Sequence, residues 1–290
     1  MKYTNIIEDI DPLYYTECEH KGKVERIDYH TSFLGREMDK YAFVYTPYDY
    51  DPEKAYEILY LIHGGLEYAE KYLYENGEGN KLKRAVDHMI DRGDIAPVII
   101  VTPSEYPDNK VPETHEGIDG ITSEFHKELV NDLIPAVEGK YKTFNDREMR
   151  SVMGWSMGSM TTWYVFMNRI DTFSRFGFLS AHAAVVNGPA SLNAHYDRQW
   201  ANETCRAVAK AIDAQKAEKK DYSIYAITGS EDIVFEPFNM MMGVLQSYTE
   251  YFDFYGPEQN ACYLVWKDGE HHTQWRLQYT INAIKQFYRE

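Results

Sequence analysis

A serine flanked by two glycines is the first sign of chemistry in this sequence. Residues 154–158 read Gly-Trp-Ser-Met-Gly, directly after the apolar run RSVM and before the helical stretch SMTTWYVFMN. A Gly-x-Ser-x-Gly turn between a strand and a helix holds its serine in a strained backbone conformation. The alternative is an ordinary small residue in a loop, because so short a pattern arises by chance. Ser156 is a candidate nucleophile if a base and a carboxylate accompany it.

Two later segments supply those groups. A serine hydroxyl needs an imidazole to take its proton and a carboxylate to orient that imidazole. Asp232 lies in TGSEDIV, with Glu231 as its rival, and helix capping is the alternative role for both. GEHHTQW contains two adjacent histidines. We favour His271 as the base and keep His272 open.

Backbone N–H groups would stabilise the oxyanion. Met157 follows the serine at the start of a predicted helix, where its N–H is free to donate. The turn His63-Gly64-Gly65 follows the run EILYLI, and glycines there allow the backbone to approach a substrate carbonyl. We expect the second donor to be the N–H of Gly65, with Leu66 as the alternative.

The elements that position these residues alternate along the chain. Short aliphatic runs end at Ile62, Thr102, Met153, Ser180, Thr228 and Trp266, and amphipathic helical patterns separate them. Such alternation predicts a mostly parallel sheet covered by helices on both faces, with ligands beyond the carboxyl ends of the strands. Each candidate residue follows one of these predicted strands, as that rule requires.

Two further features concern the organisation of the chain. The first forty residues or so alternate polar and apolar positions, which predicts edge strands and hairpins. A helical face from Phe125 to Val137 should end at Gly139, with a bend near Pro135. No repeat or linker interrupts the 290 residues, so we expect a single domain over 1–290.

Composition excludes several classes of function. The formal charge of -16 argues against a nucleic-acid partner, and no apolar run is long enough to span a membrane. The N-terminus lacks a secretory signal, so the chain is either cytoplasmic or secreted with its signal removed. Cysteines at 18, 205 and 262 make neither a disulfide framework nor a zinc site. Oligomeric state stays open.

No cofactor or metal is expected. The chain lacks phosphate-binding glycine loops and the His-Glu-x-x-His and Cys-x-x-Cys patterns of metal sites. The remaining histidines of interest are scattered, and we interpret them as solvated or hydrogen-bonded side chains: His88, His115, His126, His182 and His195. His182 is a partial exception, because LSAHAA follows a predicted strand and could border the pocket.

The motifs together resemble a known family. PYDYDPEKAYEILYLIHGG, RGDIAPVIIVTPS, FHKELVNDLIPAVEGKY, DREMRSVMGWSMGSMTTWYVFMN and YAITGSEDIV look like successive motifs of the feruloyl esterases of carbohydrate esterase family one. The likeness runs from about Tyr41 to the C-terminus and is strongest to esterase modules of cellulosomal xylanases. It implies an α/β-hydrolase fold and a metal-free triad of Ser156, Asp232 and His271.

The departures from that family are local. Ser159 stands where many relatives have glycine, which should alter helix packing more than chemistry. The family spaces its histidine four or five residues before an aromatic residue, and Trp275 lies four after His271 but three after His272. The segment SAHAAVVNGPASLNAHYDRQWANETCRAVAK matches no family pattern, and we expect it to shape the acyl or sugar pocket.

The resulting hypothesis is a serine carboxylesterase that cleaves hydroxycinnamoyl (feruloyl) esters of xylan or its oligosaccharides. Trp163, Trp275 and Tyr106 are candidates to flank a planar acyl group, with core packing as the main alternative for Trp163. An acetyl xylan esterase, or a small-ester hydrolase like S-formylglutathione hydrolase, is the alternative within the class. An acyltransferase or a non-catalytic carbohydrate-binding derivative ranks lower.

Overall fold

A computed structural model describes residues 3–75, 78–114, 117–186 and 196–289. His115, His195 and residues 187–195 of the unaligned segment lie outside this part of the chain. The strands are β1 Lys23–Phe33, β2 Arg36–Thr46, β3 Glu57–Ile62, β4 Tyr74–Glu75, β5 Glu78–Gly79, β6 Val98–Pro103, β7 Arg150–Trp155, β8 Arg175–Leu179, β9 Ser223–Gly229 and β10 Ala261–Trp266. The helices are α1 Glu70–Leu73, α2 Lys81–Asp91, α3 Ile118–Glu128, α4 Ile134–Glu138, α5 Met157–Asn168, α6 Arg198–Gln215, α7 Phe235–Leu245 and α8 Thr273–Tyr288.

Eight of the described strands form one sheet, in the order β1-β2-β6-β3-β7-β8-β9-β10. The β1–β2 and β2–β6 pairs are antiparallel, and every pair from β6 to β10 is parallel. The predicted, mostly parallel sheet is therefore confirmed. Of the N-terminal region, β1 and β2 form an edge hairpin, whereas residues 3–22 contain a short 3-10 turn and no strand. The six aliphatic runs coincide with β3 and β6 to β10, with ends that differ by at most two residues.

The core lies on both faces of the sheet. In β3, alternate side chains enter different clusters: Ile58, Tyr60 and Ile62 on one face, Leu59 and Leu61 on the other. The first cluster includes apolar side chains of α3 to α7, and the second includes those of α1, α2 and α8. A strand buried on both sides reads as a continuous apolar run, which is why the sequence pattern located these strands well.

The long helical pattern before Gly139 contains an irregularity. A π-helical stretch, Leu129–Leu133, separates α3 from α4, and Pro135 lies at the start of α4. Proline has no N–H to complete an α-helical bond, and a wider turn before it accommodates the missing donor. The helix ends with Gly139 as its cap, so both the break and the end are confirmed.

A buried ion pair joins the edge hairpin to this helix. The ammonium of Lys40 lies 2.8 and 2.9 Å from the two carboxylate oxygens of Glu128, and both side chains are fully buried. Tyr29 also donates its hydroxyl proton to Glu128 at 2.6 Å. Burial raises the pKa of Glu128, and Lys40 and Tyr29 oppose that shift. The carboxylate therefore depends on its partners to remain charged.

Removing one member of this pair should destabilise the fold more than removing both charges. Lys40→Met leaves a buried carboxylate without its counter-ion and should lower the free energy of unfolding by about 3 kcal/mol or more. Lys40→Met combined with Glu128→Gln should recover most of that loss. Urea unfolding of the three proteins measures the difference, and a double variant no more stable than the single one would contradict this account.

Candidate active site

Ser156 lies at a sharp turn between β7 and α5. Its backbone angles are φ 56° and ψ -120°, a conformation that non-glycine residues rarely adopt. The neighbouring backbones leave no room for side chains on either flank. A Cβ on Gly154 would lie 2.2 Å from the carbonyl oxygen of Gly158, and one on Gly158 would lie 2.5 Å from that of Ile62. The two glycines are therefore a packing requirement of the turn.

The three side chains predicted to act together form a hydrogen-bonded chain. His271 Nε2 lies 2.8 Å from Ser156 Oγ, and His271 Nδ1 lies 2.8 Å from Asp232 Oδ1. The Asp232 side chain is fully buried, whereas the imidazole retains 14% exposure. The imidazole thus lies between the carboxylate and the serine. This is the arrangement that a nucleophile, a base and an orienting acid require.

Asp232 also stabilises the turn before α7. Its Oδ1 accepts a hydrogen bond from the Val234 N–H at 3.0 Å, but Val234 precedes the helix and α7 has no side-chain cap. Oδ2 is buried and has no partner among the described residues. Glu231, the rival acid, is exposed. The structure brings only Asp232 to the imidazole.

His272 is turned away from the serine. It is exposed and precedes the first residue of α8, where its Nδ1 accepts a long hydrogen bond of 3.4 Å from the Gln274 N–H. The two adjacent histidines therefore differ in place: His271 contacts the serine, and His272 caps a helix.

The loops that carry the acid and the base are bonded to each other. The Glu231 N–H donates to the Gly269 carbonyl at 2.9 Å, and the Ser230 N–H donates to the Trp266 carbonyl at 2.9 Å. A Cβ on Gly229 would lie 2.0 Å from the Gly269 oxygen. This close backbone contact keeps Asp232 and His271 in register.

Two backbone donors at the site have no protein acceptor among the described residues: the N–H groups of Gly65 and Met157. Leu66, the alternative to Gly65, differs because its N–H donates to the Tyr106 hydroxyl at 2.7 Å. The Leu66 N–H is thus already bonded within the protein, and the role of Gly65 as the second oxyanion donor stays a prediction.

The motifs did not reveal the surroundings of the base. The Trp155 indole stacks on the His271 ring with centroids 4.6 Å apart, and the Arg276 guanidinium lies 5.7 Å from the indole centroid. Arg276 forms an ion pair with Glu67, whose Oε2 accepts the Gly64 N–H at 3.1 Å. Trp155 lies inside the serine motif and could have been considered, but no sequence pattern pointed to Arg276 or Glu67.

The predicted substrate-binding residues fall into two groups. Tyr106 and Trp163 are buried, at 1% and 0% exposure. Trp163 stacks on Phe178 with centroids 3.6 Å apart, which favours its core-packing alternative. Leu66 is 38% exposed, and Trp275 is half-buried against Trp266. All four substrate-binding roles stay predictions.

Other expectations concern absent features. Across the described ranges, no helix is both long and apolar enough to cross a bilayer. Within the same residues, no three His, Cys, Asp or Glu side chains are grouped to hold a metal ion. The three cysteines are buried and unpaired. Ser159, the departure from the family, donates its hydroxyl to the Ala181 carbonyl at 3.1 Å inside the helix packing.

Comparison with known proteins identifies relatives along nearly the whole chain. Endo-1,4-beta-xylanase Y of Acetivibrio thermocellus is 29% identical over 289 residues, 96% of this chain. An endo-1,4-beta-xylanase/feruloyl esterase of Xylanibacter ruminicola is 25% identical over 72% of this chain. The chain spans 24% and 29% of the length of these two relatives.

Solved structures agree with the fold. A serine-to-alanine variant of the feruloyl esterase module from Clostridium thermocellum, complexed with sinapinate, matches with a TM-score of 0.81 and 26% identity over 99% of this chain and 96% of that one. A ferulic acid esterase of Anaeromyces mucronatus, in complex with ferulic acid, matches with a TM-score of 0.74 at 19% identity over 98% and 97% of the two chains.

The family itself is shown by a protein-family model described as putative esterase, which matches residues 32–278. These matches confirm the resemblance to family-one feruloyl esterases and the α/β-hydrolase fold. The chain belongs to the esterase family.

Proposed function

We propose that this chain is a serine carboxylesterase that cleaves feruloyl or related hydroxycinnamoyl esters of xylan or its oligosaccharides. The observation that carries the proposal is the hydrogen-bonded chain from Asp232 through His271 to Ser156, with the serine on a strained turn. The choice of acyl group draws on the relatives: one is named as a xylanase and one as a xylanase/feruloyl esterase, and a similar feruloyl esterase module binds sinapinate.

The geometry supports a two-step reaction. His271 Nε2 takes the proton of the Ser156 hydroxyl as Oγ attacks the ester carbonyl carbon. The N–H groups of Met157 and Gly65 donate to the resulting oxyanion. The ester C–O bond then breaks, and His271 returns its proton to the departing sugar alcohol. Water attacks the acyl-enzyme by the same proton path, which releases the acid and restores the serine.

Asp232 keeps the imidazole in the working orientation. A carboxylate that accepts from Nδ1–H leaves the lone pair of Nε2 free for the serine proton. It also stabilises the imidazolium that forms in each step. The backbone bonds between the acid and base loops maintain this alignment without help from a substrate.

A small buried apolar cluster lies one helical turn beyond the serine. Met160 of α5 packs there with Ala181 and Ala184, and the three residues are 8%, 0% and 3% exposed. We place the acyl chain over this cluster and not inside it. Leu66 and Ile233 are exposed next to the proposed oxyanion donor and acid, and we assign them to the rim of the site.

Ser156→Ala should abolish turnover. Loss of the nucleophile is expected to lower kcat by about 10⁴-fold or more on methyl ferulate and on an aryl acetate. Ser159→Ala is the matched control, because this serine lies on the same helix but bonds only to the Ala181 carbonyl. It should retain nearly full activity. Turnover of acetate alone would move the substrate to acetylated sugars, and activity in Ser156→Ala would refute the mechanism.

The adjacent histidines should respond very differently to replacement. His271→Ala removes the proposed base and should lower kcat by about 10⁴-fold or more. His272→Ala removes a helix cap and should cost about 1 kcal/mol of stability or less, with kcat changed only a few-fold. Initial rates and thermal unfolding of both variants provide the comparison. Equal losses of kcat would contradict the assignment of the base.

A further inference from the structure

Glu105 and Tyr106 lie directly beyond β6, beside the turn that carries the proposed oxyanion donor. β6 pairs in parallel with β3, so residues just past its end are neighbours of the His63–Leu66 turn. Both side chains are buried, at 0% and 1% exposure. The proposed reaction uses neither of them, yet both contact the turn.

The Tyr106 hydroxyl contacts the C-terminal part of the His63–Leu66 turn. Its hydroxyl oxygen accepts the Leu66 N–H at 2.7 Å and lies 3.5 Å from the Gly64 carbonyl oxygen. Leu66 has a φ of 58°, which is costly for a residue with a side chain. The hydroxyl thus stabilises a strained residue adjacent to Gly65, because it accepts from the N–H that follows the donor and lies near the carbonyl that precedes it.

The Glu105 backbone contacts the N-terminal part of the same turn through His63. The Glu105 N–H donates to His63 Nε2 at 3.2 Å, so the proton of the neutral ring lies on Nδ1 and is donated to the Gly64 carbonyl at 2.8 Å. Burial lowers the pKa of His63 to about 4, which keeps the ring neutral. His63 therefore acts as a bridge between the backbone beyond β6 and the glycine turn.

The Glu105 side chain extends this contact to the nucleophile helix. Its Oε1 accepts the Thr161 hydroxyl proton at 2.6 Å, and Thr161 lies in α5, five residues after Ser156. Burial raises the pKa of Glu105 to about 8, which Thr161 and Lys40 oppose and Glu128 reinforces.

We propose that Glu105 and Tyr106 are positioning residues for the ester hydrolysis, which hold the Gly65 N–H at a fixed distance from the Ser156 nucleophile. They do so by bonding the His63–Leu66 turn on one side and helix α5 on the other. This inference rests on the proposed function, since it assigns a purpose to the turn only if an oxyanion forms there.

Tyr106→Phe tests the hydroxyl with little change in volume. The turn loses its acceptor for the Leu66 N–H, so kcat should fall about 10- to 100-fold while KM changes less than about threefold. Tyr222→Phe is the matched control: this tyrosine is also buried and loses one hydrogen bond, to the Tyr251 carbonyl. It should keep the wild-type kcat. A Tyr106→Phe kcat within threefold of that control overturns the proposal.

A tetrahedral inhibitor separates positioning from general weakening of the fold. Phenylboronic acid forms a tetrahedral adduct with an activated serine and places an oxygen at the oxyanion position. Its inhibition constant should rise in Tyr106→Phe by about the factor that kcat/KM falls. An unchanged inhibition constant overturns the proposal, whatever the stability of the variant.

Two replacements of Glu105 provide a second, independent test. Glu105→Gln keeps an uncharged acceptor for the Thr161 hydroxyl and should retain kcat within about threefold. Glu105→Leu removes the acceptor and should lower kcat about tenfold or more, again with little change in KM. Equal activity of the two variants overturns the role of the side chain.

Failure of this inference is distinguishable from failure of the proposed function. An inactive Ser156→Ala together with a fully active Tyr106→Phe would retain the esterase mechanism and remove only the positioning role. Activity that persists in Ser156→Ala would remove both.

Discussion

The first turn of α5 packs directly against the ends of two strands, and the position of Ser156 depends on that contact. Gly158 approaches the Ile62 carbonyl so closely that any side chain would collide with it. The helix start, the serine and the end of β3 therefore form one rigid unit. Because the turn with the proposed oxyanion donor begins at His63, the proposed nucleophile and the proposed second donor are positioned by the same backbone contact.

The loops of the proposed acid and base follow β9 and β10. In the sheet, these two strands lie on the opposite side of β7 from β3. The two loops are joined to each other by backbone hydrogen bonds that do not involve the serine. The site thus consists of two preassembled halves, which meet through the hydrogen bond that Ser156 Oγ donates to His271 Nε2 and through the stacking of Trp155 on His271. Such preorganisation removes much of the reorientation that a serine and an imidazole in solution would require.

The strand ends and the candidate reactive residues could be predicted from the sequence for a physical reason. Strands buried on both faces must be continuously apolar, and residues beyond their carboxyl ends must gather at one edge. That logic located Ser156, Asp232 and the histidine pair, although their catalytic roles stay predictions. The break near Pro135 could also be predicted, because the missing N–H of proline has a local effect on a helix.

The sequence could not distinguish His271 from His272, or Gly65 from Leu66, with certainty. Each choice depends on which way one residue faces in a turn, and neighbours in sequence share the same composition signals. The roles of Glu105 and Tyr106 were equally hidden, because their partners, the His63 ring and the Leu66 N–H, lie 42 and 40 residues away. Contacts of this kind leave no periodic pattern along the chain.

The stacking of Trp155 on His271 has an optical consequence. A protonated imidazole in contact with an indole quenches its emission more strongly than a neutral one does. We therefore expect the fluorescence of this tryptophan to change with the charge of the ring that lies 4.6 Å away, without any dye or substrate. The molecule contains its own reporter of the protonation state on which the proposed chemistry depends.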